Sequence, residues 1–229
     1  MKYIVISGDV ISSTSLQSLH KEALETHLLN LLKDLKKEFQ VFGRVIKGDY
    51  IECVVPQAKE GLRVALAIKS YVKSIPVEIE AYTKDKNRAK QFKVHGIRLA
   101  MGYGALERYQ PEEGIIDGEA IYFSGREISS VSPTYNKERI VIKNTLFFVS
   151  ENEGLNNRFK PIFELLDTLL SKATARQSEV LYLKLLNQQE DKIAKTLGIG
   201  QSAVNRHSTS VGWNAIETAV VDFSKTLSK

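Results

Sequence analysis

The sequence predicts an α/β (α+β) protein with a β-α-β-β-α-β domain in residues 1–150 and an all-α domain in residues 151–229. In the first part, short runs rich in β-branched residues alternate with longer segments of helical periodicity. From about residue 152 onward, the apolar residues recur at helical spacing alone. We place the boundary within residues 149–157, where the segment ENEGLNN is polar and rich in Gly and Asn.

The predicted elements follow one another in a recognisable order. They are a strand at 3–7, a helix at 15–39, strands at 41–46 and 50–55, a helix at 58–72 and a strand at 94–103. This order is the split-βαβ arrangement of a ferredoxin-like sheet. Residues 77–82 are a candidate short strand, residues 118–131 a helix and residues 139–142 a strand. The predicted C-terminal helices lie at 159–170, 177–186, on both sides of Gly198, and at 213–227.

Composition and charge indicate a globular protein of the reducing cytoplasm. Of the 229 residues, 43% are hydrophobic and 26% charged, and the single cysteine, Cys53, excludes an internal disulfide. No apolar run reaches membrane-spanning length, and the first one breaks at Asp9, too early for a signal peptide. The net charge of +5 favours an anionic partner. Six cations cluster in a stretch that we interpret as a solvated loop, unless it lies beside a phosphate site: Lys84, Lys86, Arg88, Lys90, Lys93 and Arg98.

Residues 190–209, EDKIAKTLGIGQSAVNRHST, have the pattern of a DNA-reading helix-turn-helix. Ala194 is small where the two helices must cross, and Val204 recurs at the spacing that points it back at Ala194. Gly198 suits a turn that requires positive φ. The alternative is a helical hairpin that packs a C-terminal subdomain. If the segment reads DNA, four polar side chains on one exposed face are the candidates to contact base edges or phosphates: Gln201, Ser202, Asn205 and Arg206.

The predicted strand order indicates that Asp9 and Asp49 lie close together. In a split-βαβ sheet, the end of the first strand and the turn between the second and third strands share one edge of the sheet. Asp9 ends the first strand and Asp49 lies in that turn. Two neighbouring carboxylates favour Mg²⁺ or Mn²⁺, which takes its remaining ligands from substrate phosphates and water. Taken singly, Asp49 is also an ordinary hairpin residue, and Asp9 could cap the following helix.

Four segments resemble the motifs of class III nucleotidyl cyclases, in the order of that family. GDVISSTSL (8–16) and KGDYIECVV (47–55) are similar to its two metal-aspartate motifs, and VHGIRLAMGYGAL (94–106) to its strand with a glycine-flanked turn. GEAIYFSGREI (118–128) resembles the helix that carries its transition-state arginine, here Arg126. Together with the C-terminal segment, the chain resembles the SatD family, in which a cyclase-like domain is fused to a DNA-binding tail.

This resemblance implies specific roles and two departures. Asp9 and Asp49 would bind two metal ions that hold a nucleoside triphosphate, and Arg126 would stabilise the transition state from the other subunit of a homodimer. Tyr122 replaces the Asn that the family usually carries four residues before the arginine, and Val45 replaces its base-reading Lys or Glu. Tyr122 could stack on a base, reach a ribose or phosphate, or fill the core.

Three functions follow from these expectations. The first is a dimeric DNA-binding regulator whose N-terminal cyclase-like domain responds to a nucleotide or metal. The second is an active metal-dependent nucleotidyl cyclase with a regulatory tail, and the third is a repressor tail on a non-catalytic dimerisation domain. The sequence leaves open which nucleotide binds and which DNA sequence is read.

Overall fold

A computed structural model describes residues 1–13, 16–76, 86–130, 134–136 and 139–228. Its strands are β1 (Lys2–Val10), β2 (Phe42–Ile46), β3 (Tyr50–Val55), β4 (Ile97–Ala105), β5 (Arg108–Gln110), β6 (Ile115–Asp117), β7 (Thr134–Asn136), β8 (Arg139–Val141) and β9 (Leu146–Ser150). Its helices are α1 (Ser18–Phe39), α2 (Gly61–Ser74), α3 (Lys86–His95), α4 (Glu119–Ser130), α5 (Glu153–Lys172), α6 (Ala175–Leu185), α7 (Glu190–Leu197), α8 (Gln201–Ser210) and α9 (Trp213–Leu227).

Five strands form the main sheet, in the order β2-β3-β1-β4-β9. Strand β1 is antiparallel to both β3 and β4, β2 is antiparallel to β3, and β9 is parallel to β4. Strands β1 and β2 therefore run in the same direction with β3 between them. This confirms the split-βαβ topology, and β9 extends it by one strand beside β4.

The two faces of the sheet are covered by different helices. Because side chains alternate along a strand, Ile4 and Ile6 of β1 enter the core beneath α1 and α2, whereas Val5 and Ser7 face α4. Helix α4 approaches the strands closely at Gly102, where a Cβ atom would lie 2.0 Å from the carbonyl oxygen of Ala120. The absence of a side chain at Gly102 sets the depth at which α4 packs.

Several segments between residues 77 and 150 differ from the predicted elements or lie outside the described residues. Of the basic stretch, residues 86–95 form the helix α3, in which Ala89 and Phe92 are buried three residues apart, and Arg98 lies on β4. Strand β4 consequently begins at Ile97 and not at 94. The predicted strand at 139–142 pairs with β7 outside the main sheet, whereas Leu146–Ser150, which was not predicted, joins it. The candidate strand at 77–82 lies outside the described residues.

Every regular element in residues 151–228 is a helix, as the periodicity predicts. Phe159 of α5 and Phe223 of α9 belong to the same buried cluster as Leu28 of α1 and Leu66 of α2. Lys69 of α2 also lies 3.0 Å from Asp167 of α5 in a fully buried contact. The helices and the sheet therefore share one continuous core, and the division into two domains at residue 150 stays a prediction.

Helices α7 and α8 are joined by the three residues 198–200. Gly198 has φ 63° and ψ 34°, as a turn of this kind requires. The backbone N–H of Ile199 donates to the carbonyl of Ala194 at 3.0 Å, and Ile193 and Val204 are completely buried. The local geometry thus agrees with the one expected of residues 190–209, while DNA binding stays a prediction.

Candidate functional site

Asp9 and Asp49 lie side by side at one end of the adjacent strands β1 and β3 in the main sheet. Asp9 is paired in register with Tyr50, and the backbone N–H of Val10 donates to the carbonyl of Asp49 at 3.1 Å. The carboxylates are close enough for the charge of Asp49 to raise the pKa of Asp9. The structure therefore brings together the two aspartates that the strand order predicts to share an edge.

Arg98 supplies a positive charge to this edge. Its guanidinium Nη2 lies 3.4 Å from Asp9 Oδ2, and the two side chains are 8% and 39% exposed, respectively. Burial raises the pKa of Asp9, Arg98 lowers it, and Asp49 raises it again, so that the pKa stays above its ordinary value. In the sequence, Arg98 belongs both to the basic stretch and to the strand predicted at 94–103. Only the register of β4 against β1, which pairs Arg98 with Asp9, reveals its position.

The loop after β1 holds the Asp49 carboxylate. The buried Ser13 hydroxyl donates to Asp49 Oδ2 at 2.6 Å. Helix α1 begins later, at Ser18, and its N-cap is Gln17, so Asp9 does not cap that helix. Asp49 follows Gly48, whose φ is 81°, and its hairpin position is as expected.

Polar side chains continue along the face of the sheet that carries Asp9. Glu52 is 6% exposed and is paired with Arg44, whose Nη2 lies 2.6 Å from Glu52 Oε1. The hydroxyl of Ser7 donates to that of Ser124 of α4 at 2.9 Å. Burial raises the pKa of Tyr50, although a hydrogen bond with Ser7 opposes the shift. The sequence signal for this polar row was Glu52 itself, which alternates with the apolar Ile51 and Cys53.

Tyr122 and Arg126 lie together on the exposed side of α4. Tyr122 is 50% exposed, which excludes a role as core filler, and its hydroxyl donates to Asp117. The Arg126 guanidinium lies over the Tyr122 ring, 5.8 Å from its centroid. Among the contacts of the described residues, none joins Arg126 or Tyr122 to Asp9 or Asp49. Within one chain, therefore, the predicted catalytic pair and the predicted metal pair do not meet.

Val45, at the position where the cyclases read the base, is half-buried against the main hydrophobic core. Its neighbour Arg44 points to the opposite face, toward Glu52, and donates from Nη1 to the carbonyl of Gly114 at 2.7 Å. The charged side chain nearest to this position is thus already engaged within the chain.

Asp9 and Asp49 can supply carboxylate oxygen ligands to Mg²⁺ or Mn²⁺, but they do not form a complete set of protein ligands. Two adjacent carboxylates, one of them 39% exposed, can hold a hard cation whose other ligands are water and phosphate oxygens. Within the described residues, no group of three or more His, Cys, Asp or Glu side chains could form a closed metal cage. Cys53 takes no part in such chemistry, because burial raises the pKa of its thiol to about 12.

The four predicted DNA-contacting residues are all exposed on α8: Gln201, Ser202, Asn205 and Arg206. This helix lies at the end of the sheet opposite to Asp9. Asn187, just before α7, contacts Glu38 at the C-terminal end of α1 and Arg63 near the start of α2, whereas α1 starts beside the aspartates. The two predicted sites therefore lie toward opposite ends of α1. Among the helices of the described residues, none is long and apolar enough to cross a membrane.

Comparison with known proteins gives few matches. No protein-family model and no curated protein matches the sequence, so the resemblance to the SatD family rests on the four motifs and the C-terminal segment. Two solved structures of a bacterial light-regulated adenylyl cyclase are similar to 65% of the chain at 12% identity, with TM-scores of 0.44 and 0.42. The match covers 43% of the length of those cyclase chains.

Proposed function

We propose that this protein is a DNA-binding regulator whose α/β part binds a nucleoside triphosphate with Mg²⁺ or Mn²⁺ at Asp9 and Asp49. The observation that carries the proposal is the local geometry of the α7–α8 pair. Its turn at Gly198 has the required left-handed backbone, its inner residue Val204 is completely buried, and its outer polar residues are free to reach a duplex.

The outer face of α8 has suitable chemistry for DNA recognition. Asn205 supplies an amide that can pair with adenine, and Arg206 a guanidinium that can pair with guanine or a phosphate. Gln201 and Ser202 lie in the first turn, where the helix dipole also favours an anion. A helix that enters the major groove contacts the bases with residues of this end.

The nucleotide part of the proposal rests on the Asp9–Asp49 edge. When bound there, the cation would neutralise the two carboxylates and supply positive charge to a triphosphate. Arg98, next to Asp9, adds a second positive charge. The base would be recognised differently from the cyclases, because Val45 faces the core and Arg44 is engaged with Glu52.

Selection from a pool of randomised duplexes tests the DNA-binding part. We expect an enriched sequence whose binding weakens steeply with salt, and an Asn205→Ala/Arg206→Ala variant that binds it about tenfold or more weakly. Arg176→Ala is the control, because Arg176 is exposed on α6 and pairs only with Glu179 of the same helix among its described contacts. Undiminished affinity in the double variant would exclude this face of α8 as the reader.

A second candidate is an active nucleotidyl cyclase, and the exposure of Arg126 favours it. In this reaction, the ribose 3′-oxygen attacks the α-phosphorus, its proton is lost and pyrophosphate leaves. Because Arg126 does not contact the aspartates of its own chain, the complete site would form between two copies of a homodimer. The arginine of one copy would then stabilise charge on the phosphoryl group held by the other.

Incubation with each of the four ribonucleoside triphosphates and Mn²⁺, followed by mass spectrometry, tests for turnover. We expect a cyclic product that is lost in Asp49→Asn and retained in Asp222→Asn, an exposed aspartate that pairs with Arg158. A mixture of Asp49→Asn and Arg126→Ala protein should regain activity if the site is shared between copies. If no product forms with any triphosphate, the protein is a binding protein at this site and not a cyclase.

A further inference from the structure

We infer that α1 couples the Asp9–Asp49 site to the α7–α8 pair, so that occupation of one changes the conformation of the other. This inference rests on the proposed nucleotide and metal site. Helix α1 has 22 residues and spans about 33 Å at 1.5 Å per residue. It begins at the edge of the sheet that carries the aspartates and ends at the edge that carries α7.

The loop before α1 is connected directly to the site. Ser13 donates to Asp49 Oδ2 at 2.6 Å, so a cation bound by that carboxylate competes for the same oxygen. The preceding residue, Ser12, has φ 63°, a left-handed conformation that is disfavoured for a residue with a side chain. The Ile11 N–H donates to the carbonyl of Gly96 at 3.0 Å. Residues 11–13 are thus held by these hydrogen bonds, with Ser12 in a strained conformation that a change at Asp49 can release.

Helix α1 itself is suited to move as one body. Its most deeply buried side chains form a single stripe at helical spacing: Leu24, Leu28, Leu31 and Leu35, each 3% exposed or less. At its end, Gln40 adopts a left-handed conformation, its N–H donates to the carbonyl of Lys36, and the N–H of Val41 donates to that of Leu35. A well-packed helix shifts between discrete positions and does not deform continuously.

The far end of α1 contacts the helix that leads to α7. The Tyr182 hydroxyl of α6 donates to Asp34 Oδ2 of α1 at 2.8 Å, and the Asn187 amide donates to Glu38 at 3.4 Å. The Tyr182 ring packs edge-on against Tyr71 of α2, with 4.9 Å between centroids. A displacement of α1 is therefore transmitted to the C-terminal half of α6.

One side chain of α6 contacts both α7 and α9. Lys184, two residues after Tyr182, forms a salt bridge of 2.7 Å with Glu190 in the first turn of α7. The same ammonium lies 4.9 Å from the centroid of the Trp213 ring, at the start of α9. Trp213 is the only tryptophan of the chain and is half-buried. Its fluorescence thus reports on the end of the pathway without a label.

The test uses the full chain, MgCl₂ and each of the four ribonucleoside triphosphates. Calorimetry measures binding, and the wavelength of the Trp213 emission maximum measures the distant response, since absorption by the nucleotide reduces intensity but does not shift this maximum. Tyr182→Phe removes only the hydroxyl that contacts Asp34 and keeps the ring. Tyr109→Phe is the matched control, because Tyr109 packs against Tyr3 and Phe42 on the opposite face of the sheet.

We expect the bound triphosphate to shift the Trp213 emission in the wild type and in Tyr109→Phe, but not in Tyr182→Phe, which still binds it. With the selected duplex available, the triphosphate should change DNA affinity about fivefold or more in the wild type and in Tyr109→Phe, but not in Tyr182→Phe. Binding without a shift in the wild type, or an undiminished shift in Tyr182→Phe, would overturn the coupling and leave the nucleotide site intact. Absence of any binding would overturn both.

Discussion

Replacing Asp167 by Asn tests how α5 is held to the sheet. Asp167 Oδ1 lies 3.0 Å from Lys69 Nζ, with both side chains 5% exposed or less. The carboxylate also accepts from the N–H and the hydroxyl of Thr145, at 2.6 and 2.7 Å. Although burial raises the pKa of Asp167, Lys69 and the Thr145 hydrogen bonds lower it more, so that it lies below its ordinary value.

The expected loss of stability follows from this burial. Removing one partner of a buried ion pair typically costs 3–5 kcal/mol, because the remaining charge is left without water or a counter-ion. Asn is nearly isosteric with Asp and creates no cavity. Lys69 also keeps its hydrogen bonds to Thr145 Oγ1 at 2.5 Å and to the carbonyl of Ile97 at 3.0 Å. We therefore expect a loss of about 3 kcal/mol and a fall in Tm of about 6–12 °C for a chain of this size.

Urea and thermal unfolding followed by circular dichroism measure this loss. Asp222→Asn, which removes a largely exposed ion pair with Arg158, should change the stability by less than about 1 kcal/mol. The double variant Lys69→Met/Asp167→Asn should be more stable than Asp167→Asn alone, because the unpaired charge of Lys69 is then removed as well. The reasoning is refuted if Asp167→Asn lies within about 1 kcal/mol of the wild type, or if the double variant is the less stable of the two.

Two further predictions concern pH and packing. Burial, together with the charge of Lys69, lowers the pKa of His95 from 6.5 to about 4. In the pH window between about 4 and 6.5, the imidazole of His95 is therefore protonated in the unfolded chain but not in the folded chain. We expect the urea midpoint to fall as the pH decreases through the window, and His95→Gln to flatten the dependence; an equally steep dependence in the variant would exclude His95 as the cause. Gly102→Ala should lower the free energy of unfolding by about 1–3 kcal/mol, because the new Cβ atom would clash with the Ala120 carbonyl oxygen. Gly125→Ala in α4 meets open space and should stabilise the fold by about 0.5–1 kcal/mol; equal effects of the two alanines on the urea midpoint would contradict this account.

The separation of the two proposed sites has a physical consequence. The aspartates lie near the start of α1 and the α7–α8 pair lies near its end, so we do not expect one nucleotide to contact both the aspartates and the DNA that α8 would read. Any influence of one on the other must pass through packed helices, with Tyr182 and Lys184 as the contacts that we have identified. A direct competition between nucleotide and DNA for one surface is therefore not expected.

The elements that the sequence predicted well are those set by local patterns. Helix α9 and strand β3 begin and end where periodicity places them, and Gly198 adopts the left-handed backbone that its position demands. The proximity of Asp9 and Asp49 was also predictable, because the strand order alone assigns a strand end and a hairpin turn to one edge of the sheet.

The tertiary structure decided what depends on partners distant in the chain. Residues 86–95 of the basic stretch form the helix α3 because Phe92 is buried in the common core. The many charged residues around Phe92 do not predict this burial. Leu146–Ser150 is a strand because β4 offers it an edge. The position of Arg98 beside Asp9 follows from the register of two strands, and the position of Arg126 away from both aspartates follows from how α4 packs on the sheet. Spacing in a sequence specifies which face of its own element a residue occupies, whereas the neighbour across that face is chosen by the packing of the whole chain.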